Sequence, residues 1–372
     1  RVPRPGPLRP VLMASHRYAR ALIDLPAFQS NLALARRCAG SRAVYAVVKA
    51  DAYGHGMASI VGAAEAADGF CVADLDEGLQ LRALVPERPI VVLQGAHDRA
   101  GMAAAAQAAL TLVLHTPEQV AGFADGLRSG DAPAVPWLEL DSGMHRLGLD
   151  PPALAAAKAQ LEAKGLSPTV MTHFACADTP GAPLHEQQRG AAVALAAPSS
   201  ACNSAALLAG EVTEDQVVRP GIMLYGGASL AEQTPEALGL APVMTLTSRI
   251  LAVRTVSVGS RVGYGASWEA PRESRIATVA LGYGDGYPRT LPHGTPVLTA
   301  AGIAPLVGRV SMDSLTIDVT DLPSVGLGDQ VTLWGKGLPV DRLAAALGTI
   351  GYELLTRLGP RVPRVVEGSA HG

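Results

Sequence analysis

No apolar run in this sequence approaches the roughly 18 residues of a membrane-spanning helix, so no span is expected. Lysine and arginine never gather into a block. The 30 basic side chains stand against 33 acidic ones for a net charge of -3, which leaves nothing to neutralise a row of phosphates and makes nucleic acid an unexpected partner. Cysteine is sparse: Cys38, Cys71, Cys176 and Cys202 lie far apart, without the spacing of a structural zinc site, and read as small buried hydrophobes in a reducing, cytoplasmic compartment. Lysine is scarcer than arginine, being confined to Lys49, Lys158, Lys164 and Lys336. A lysine inside an apolar strand is therefore conspicuous. What is present is a chain of 372 residues, 48% hydrophobic and 17% charged, too apolar for disorder and long enough for two domains or one large barrel with an appendage. Residues 1–12, proline-rich and basic without the apolar core of a secretory signal, read as a disordered leader or cloning remnant, and the fold is expected from Met13.

From about residue 25 to 227, short β-branched runs alternate with Ala/Leu-rich stretches of helical length, the pattern of βα units around a parallel sheet. Eight candidate strands fall at 43–50, 70–74, 89–95, 110–116, 136–142, 169–175, 199–204 and 216–226. Eight closes a TIM barrel. Pro117, Pro151 and Pro152 stand where helices should begin. A doubly wound open sheet is the competing reading, weakened by the absence of Gly-x-Gly-x-x-Gly after the first strand. Past residue 240, β runs separated by Gly/Pro turns dominate, with one helix expected near 341–348. The expected organisation is α/β, an N-terminal (β/α)8 barrel over 13–239 followed by a C-terminal mainly β domain over 240–372.

Barrel chemistry sits at the carboxyl ends of strands. The first candidate strand ends in Lys49, where partial desolvation would yield the neutral amine that a Schiff base needs, although a lysine snorkelling at the rim has the same pattern. The fifth ends with Glu139 and Asp141 on one face and Arg146 nearby, a group that either orients an arginine toward an anionic ligand or is a structural ion-pair cluster. The sixth ends in His173, which could stack on a ring or be a satisfied core histidine; no second ligand lies at metal spacing from it. Ser204 and the amides around Gly221 and Ile222, after strands seven and eight, occupy the region that commonly binds phosphate in this barrel, though Pro220-Gly221 is also an ordinary turn. The coincidence is informative. A strand-one lysine together with a phosphate cradle describes an aldehyde cofactor with a phosphate tail, pyridoxal phosphate.

The segments AVVKADAYGHG, LDSGMHRLG, MTHFACAD, NSAA, RPGIMLYG, VGYGASW, LGYGDGYPR, GRVSMDSLTIDV and TIGYELLTRLGPRVPRV, ordered over about residues 18–365, closely resemble the alanine racemase family of pyridoxal-phosphate barrel enzymes. That resemblance implies that Lys49 is the Schiff-base lysine and one of two catalytic bases, with Tyr264 the other, reaching the site from the β domain of a second subunit in an obligate head-to-tail homodimer. A base on each face is what proton removal and opposite-face return require, and a tyrosine serves only if nearby positive charge favours its phenolate. It further implies that Arg219 contacts the cofactor's ring nitrogen and keeps it unprotonated, and that His173 lies beside the ring. Tyr53, Ser204, Gly221, Ile222 and Tyr352 correspond to the phosphate contacts, Arg146 to the arginine near the substrate carboxylate, and Met312 and Tyr283 to the substrate wall contributed across the dimer, with Asp313 in support.

One departure stands out. Where the family commonly has a lysine carrying a carbamate, this chain has Glu139, and its carboxylate is expected to supply the anion beside Arg146 directly. The implied activity is interconversion of L- and D-alanine, supplying D-alanine for bacterial peptidoglycan. A racemase of broader specificity, acting on serine for example, a decarboxylase of the same architecture, and a cofactor-binding protein weakened in turnover are the competing readings.

Overall fold

A computed structural model describes residues 17–129, 135–195, 199–211, 216–230 and 233–367; the expected leader at 1–12 lies outside the described residues. The first strand, β1 (Arg20–Ile23), is followed by eight parallel strands: β2 (Ala43–Val47), β3 (Gly69–Val72), β4 (Ile90–Val92), β5 (Thr111–Leu114), β6 (Trp137–Glu139), β7 (Thr169–Met171), β8 (Ser199–Ser200) and β9 (Val217–Val218). They pair in the order β8-β7-β6-β5-β4-β3-β2-β9. The amide of Gln216 donates to Ser199 O at 2.9 Å and that of Arg219 to Cys202 O at 2.9 Å, which closes the barrel between its ends. Strand interiors such as Gly69–Val72 and Ile90–Val92 are buried throughout, as expected of a parallel sheet covered by helices. Asp24, Asp74, Asp98, Asp150 and Asn203 each cap a helix N-terminus through the side chain, Pro151 opens the helix that Asp150 caps, and Pro117 and Pro183 open two more, so the start of most βα connections, though not of the one after β2, is written in the sequence.

The remaining strands are β10 (Met244–Val256), β11 (Arg261–Val262), β12 (Trp268–Glu269), β13 (Ser274–Val279), β14 (Pro296–Thr299), β15 (Gly302–Val307), β16 (Leu315–Asp318), β17 (Gln330–Trp334) and β18 (Arg364–Val366). The long β10 pairs antiparallel with β17 along its first half and with β13 along its second, so the chain β13-β16-β15-β14-β17-β10 closes on itself. A bulge between Ile250 and Ala252 supplies the bend that this requires.

Two features differ from expectation. Strand β1 falls inside the stretch expected for the barrel, yet it pairs with β10 and β18 and belongs to the second sheet. Four residues that alternate between half-buried and buried carry no sign of which sheet they will join. A second helix, Gly351–Arg357, follows Val340–Leu347; at seven residues it is too short for apolar periodicity to reveal. It packs against the turn that follows β2, so both domains shape the barrel mouth.

Candidate active site

Lys49 opens the turn after β2, at the carboxyl end of the strand. Ala50, Asp51, Ala52 and Tyr53 all have positive φ, between 52° and 54°, a left-handed turn built without glycine. Each such residue costs roughly 1–2 kcal/mol, so surrounding contacts must hold the turn. They are present. Glu77 accepts from the Ala50 amide at 2.7 Å and the Ala73 amide at 2.8 Å, Asp51 Oδ1 from the Met57 amide at 2.7 Å, and the Arg364 Nε donates to Gly54 O at 2.9 Å. His55 Nδ1 lies 3.0 Å from Ala52 O and 2.9 Å from Tyr53 O. Lys49 itself is half-buried. Burial and the Arg146 guanidinium hold its pKa below the ordinary lysine value, against the opposing pull of Cys71 and Glu77.

Tyr53 is buried and stacks on Tyr225 at 4.7 Å, with Tyr352 tilted against it at 5.9 Å. Tyr225 donates its hydroxyl to Val47 O at 3.0 Å, tying the stack to β2. Ser204 Oγ accepts from the Gly221 amide at 2.8 Å and from the Met223 amide at 3.4 Å. Among the described residues the Ile222 amide between them has no protein acceptor, although Ile222 is buried. Gly221 is required by space, since a Cβ there would collide with the Tyr53 hydroxyl. Three hydroxyls and an orphaned buried amide fit an oxyanion of phosphate size.

The opposite rim is charged. Arg219, only 4% exposed, donates to the hydroxyl of Ser200 and to Thr172 O at 2.8 Å. His173 faces the positive groups Arg219, Arg146 and Lys49; burial first, then these charges, lowers its pKa to about 3, so its imidazole is neutral. Glu139 is 6% exposed. Burial raises its pKa while Arg219 and Arg146 pull the other way, and Asp141 adds to the rise. Asp141 does not pair with Arg146. It closes its own loop instead, accepting from the amides of Gly143 and His145 at 3.0 Å each and lying 2.9 Å from His145 Nδ1. Arg146 is exposed and feels Glu139 through space without a direct ion pair.

Lys49, Tyr53, Glu139, Arg146, His173, Ser204, Arg219, Gly221, Ile222 and Tyr352 thus gather at one barrel mouth. Tyr264, Tyr283, Met312 and Asp313 do not. Tyr264 lies in a tight turn between β11 and β12 and is 69% exposed; Tyr283 and Met312 are 38% and 52% exposed. Gly284 donates to Met312 O at 2.8 Å, which holds the last two side by side on the second domain, and Asp313 ion-pairs with Arg361.

Glu77, Tyr225 and Arg364 escaped the sequence reading, whereas Cys71 is buried as expected. Cys71, buried between Lys49 and Arg219 and pushed up to about 12 by burial, reads in sequence as one more core residue. Glu77 sits in an ordinary helix start after Asp74 and Arg364 in a three-residue strand, so neither shows any local signal of reaching the turn.

Comparison with known proteins follows the same lines. Residues 23–229 match the alanine racemase N-terminal domain family and residues 243–366 the alanine racemase C-terminal domain family. The biosynthetic alanine racemase of Pseudomonas aeruginosa is 49% identical over 352 residues, 92% of this chain and 98% of that protein. An alanine racemase of Stutzerimonas stutzeri is 48% identical, covering 92% of this chain and 98% of its own length. The crystal structure of the P. aeruginosa biosynthetic enzyme superposes with a TM-score of 0.90 at 48% identity, covering 94% of this chain and 99% of that one. The alanine racemase of Bartonella henselae, solved with covalently bound pyridoxal phosphate, superposes at 0.86 with 30% identity, covering 94% of this chain and 99% of that one. This chain belongs to the alanine racemase family.

Proposed function

We propose that the chain interconverts L- and D-alanine at the barrel mouth with pyridoxal phosphate as cofactor. The observation that carries this reading is Lys49, half-buried at the carboxyl end of β2 with its pKa lowered by burial and Arg146, at the same barrel mouth as the buried Arg219 and an Ile222 amide without a protein acceptor among the described residues. The cofactor named with the Bartonella relative is of the kind these donors fit. When bound, it supplies an electron-withdrawing ring that makes the α-proton of alanine removable.

The protein's own residues do the rest. Tyr53, Ser204, Tyr352 and the amides of Gly221 and Ile222 hold the phosphate. Arg219, anchored through two of its nitrogens, would donate toward the ring nitrogen of a bound cofactor and so keep it free of a proton, and neutral His173 would stand beside the ring. Arg146 binds the substrate carboxylate, with Glu139 as its anionic counterpart in place of a carbamylated lysine. Lys49 holds or returns the proton on one face and Tyr264 on the other.

Tyr264 cannot do so in its own chain's barrel while it stays exposed on the second domain, and the same holds for Tyr283 and Met312. Support for a homodimer with shared sites comes from this exposed trio, which a second copy would cover with its own barrel mouth. Asp313 supports that wall through Arg361. In this reading the barrel segment binds the cofactor with Tyr352 of the second domain, while the Tyr264, Tyr283 and Met312 face of that domain complements a second copy. The four free cysteines are compatible with the cytoplasm, where D-alanine would be supplied for peptidoglycan. No helix among the described residues is long and apolar enough to cross a membrane.

The test is NMR of alanine incubated in heavy water with cofactor-loaded protein, following α-proton exchange and product chirality together. Wild type should exchange and racemise. Tyr264→Phe should lose racemisation while exchanging the α-proton of one enantiomer only. Equal exchange of both enantiomers in that variant would remove Tyr264 from the reaction.

A further inference from the structure

We propose that Glu77, outside the barrel mouth's ligand-contacting set, is a positioning residue for Lys49: its carboxylate pins the left-handed turn that aims the lysine. The inference rests on the reading of Lys49 as the residue that captures the cofactor. The turn is unfavourable at each of four non-glycine positions, and it begins at Ala50, the residue directly after Lys49. Whatever holds the Ala50 amide therefore fixes the lysine's backbone. Ala50 donates to Glu77 Oε1 at 2.7 Å, while Glu77 Oε2 receives the Ala73 amide, at the end of the neighbouring strand β3, at 2.8 Å. One carboxylate thus ties together two adjacent βα connections, with both oxygens engaged by amide donors, an arrangement that needs an acceptor on each side.

Glu77 is itself rigidly mounted. Asp74 caps its helix through the Glu77 amide at 2.9 Å, and the next residue, Gly78, lies so close to the barrel wall that an added Cβ would sit 3.0 Å from Leu110 and 3.1 Å from Val92. The other contacts on the turn act further along it. Asp51 and His55 bond within the local segment, and Arg364 reaches Gly54 at its far end. Glu77 alone among these holds the residue beside Lys49. Its charge also acts on the lysine through space, against the lowering by burial and Arg146.

Glu77→Gln tests both effects, because the amide keeps one acceptor oxygen and turns a donor toward the other backbone N–H. Full-length wild type and variant are stripped of cofactor and then mixed with pyridoxal phosphate. Capture, in which the Lys49 amine adds to the aldehyde with loss of one water, is followed by absorbance across pH, and its site is read by mass spectrometry after borohydride reduction. On the high-pH plateau, where the amine is neutral in both proteins, the variant's capture rate should fall about tenfold, as for one lost charge-assisted hydrogen bond. The midpoint of its pH profile should move to lower pH, because an anion that favoured the ammonium is gone. Adding Ala50→Gly should restore several-fold of the lost rate, since glycine adopts the left-handed conformation without the steric cost. A variant that melts earlier but keeps the wild-type rate and midpoint, or a double variant with no recovery, overturns the proposal. Failure of wild type to capture the cofactor at Lys49 would instead overturn the reading of Lys49.

Discussion

Ionisation of Glu139 runs against the preference of its surroundings, since burial raises its pKa more than Arg219 and Arg146 lower it. In the pH range between its ordinary value and the raised one, the folded protein binds a proton that the unfolded chain does not, so this group's contribution to stability declines as pH rises through that range. Glu139→Gln mimics the protonated form. It should melt no earlier than wild type at pH 8, while its KM for alanine rises because Arg146 has lost its anion; an earlier melt with unchanged KM would contradict the assignment. Added bicarbonate should leave the wild-type rate unchanged, since no carbamate has to form. At this scale the sequence was informative where a residue type was out of place, as with Lys49 in an apolar strand. It was silent where an ordinary residue acts at a distance: Glu77 is a routine helix-start glutamate until the fold brings the Ala50 amide to it.

The left-handed turn shows the same limit one level up. Glycine would have announced it, but Ala50 to Tyr53 contain none, and the conformation is imposed by contacts from β3, the helix after it and the second domain. The barrel strands, by contrast, were readable from β-branched runs and capping residues, because those signals are local. Gly54, which ends the turn at φ +78°, is where the two kinds of constraint meet: a Cβ there would run into Leu355 O of the helix Gly351–Arg357. Gly54→Ala should therefore destabilise by roughly 3 kcal/mol or more, as expected when both backbone strain and a close backbone approach are violated. Gly165→Ala, at φ +77° with open space around it, bears only the conformational part and should lose about 1 kcal/mol. Denaturant titration of both variants separates these contributions, and equal losses would mean that the helix yields to accommodate the methyl group.

At the scale of the whole molecule, the proposed sharing of Lys49 and Tyr264 between two chains makes a prediction about the stoichiometry of activity. If each site takes its lysine from one chain and its tyrosine from another, Lys49→Ala and Tyr264→Phe homodimers are both inactive as racemases. Mixing them under conditions that exchange subunits changes this. A heterodimer then has one site with both substitutions and one with neither, because the partner of each defective barrel brings the other defect. Random reassortment of equal amounts makes about half of all dimers mixed, each with one of its two sites intact, so activity should recover to about a quarter of wild type. Recovery should track the rate of subunit exchange and vanish when exchange is blocked by cross-linking the homodimers first. A mixture that stays inactive although native mass spectrometry shows heterodimers would mean that the two residues act within one chain, which would require the exposed Tyr264 turn to swing onto its own barrel. The exposure of Tyr264, Tyr283 and Met312 on one domain, against the gathering of Lys49, Arg219 and Ser204 on the other, makes complementation the expected result.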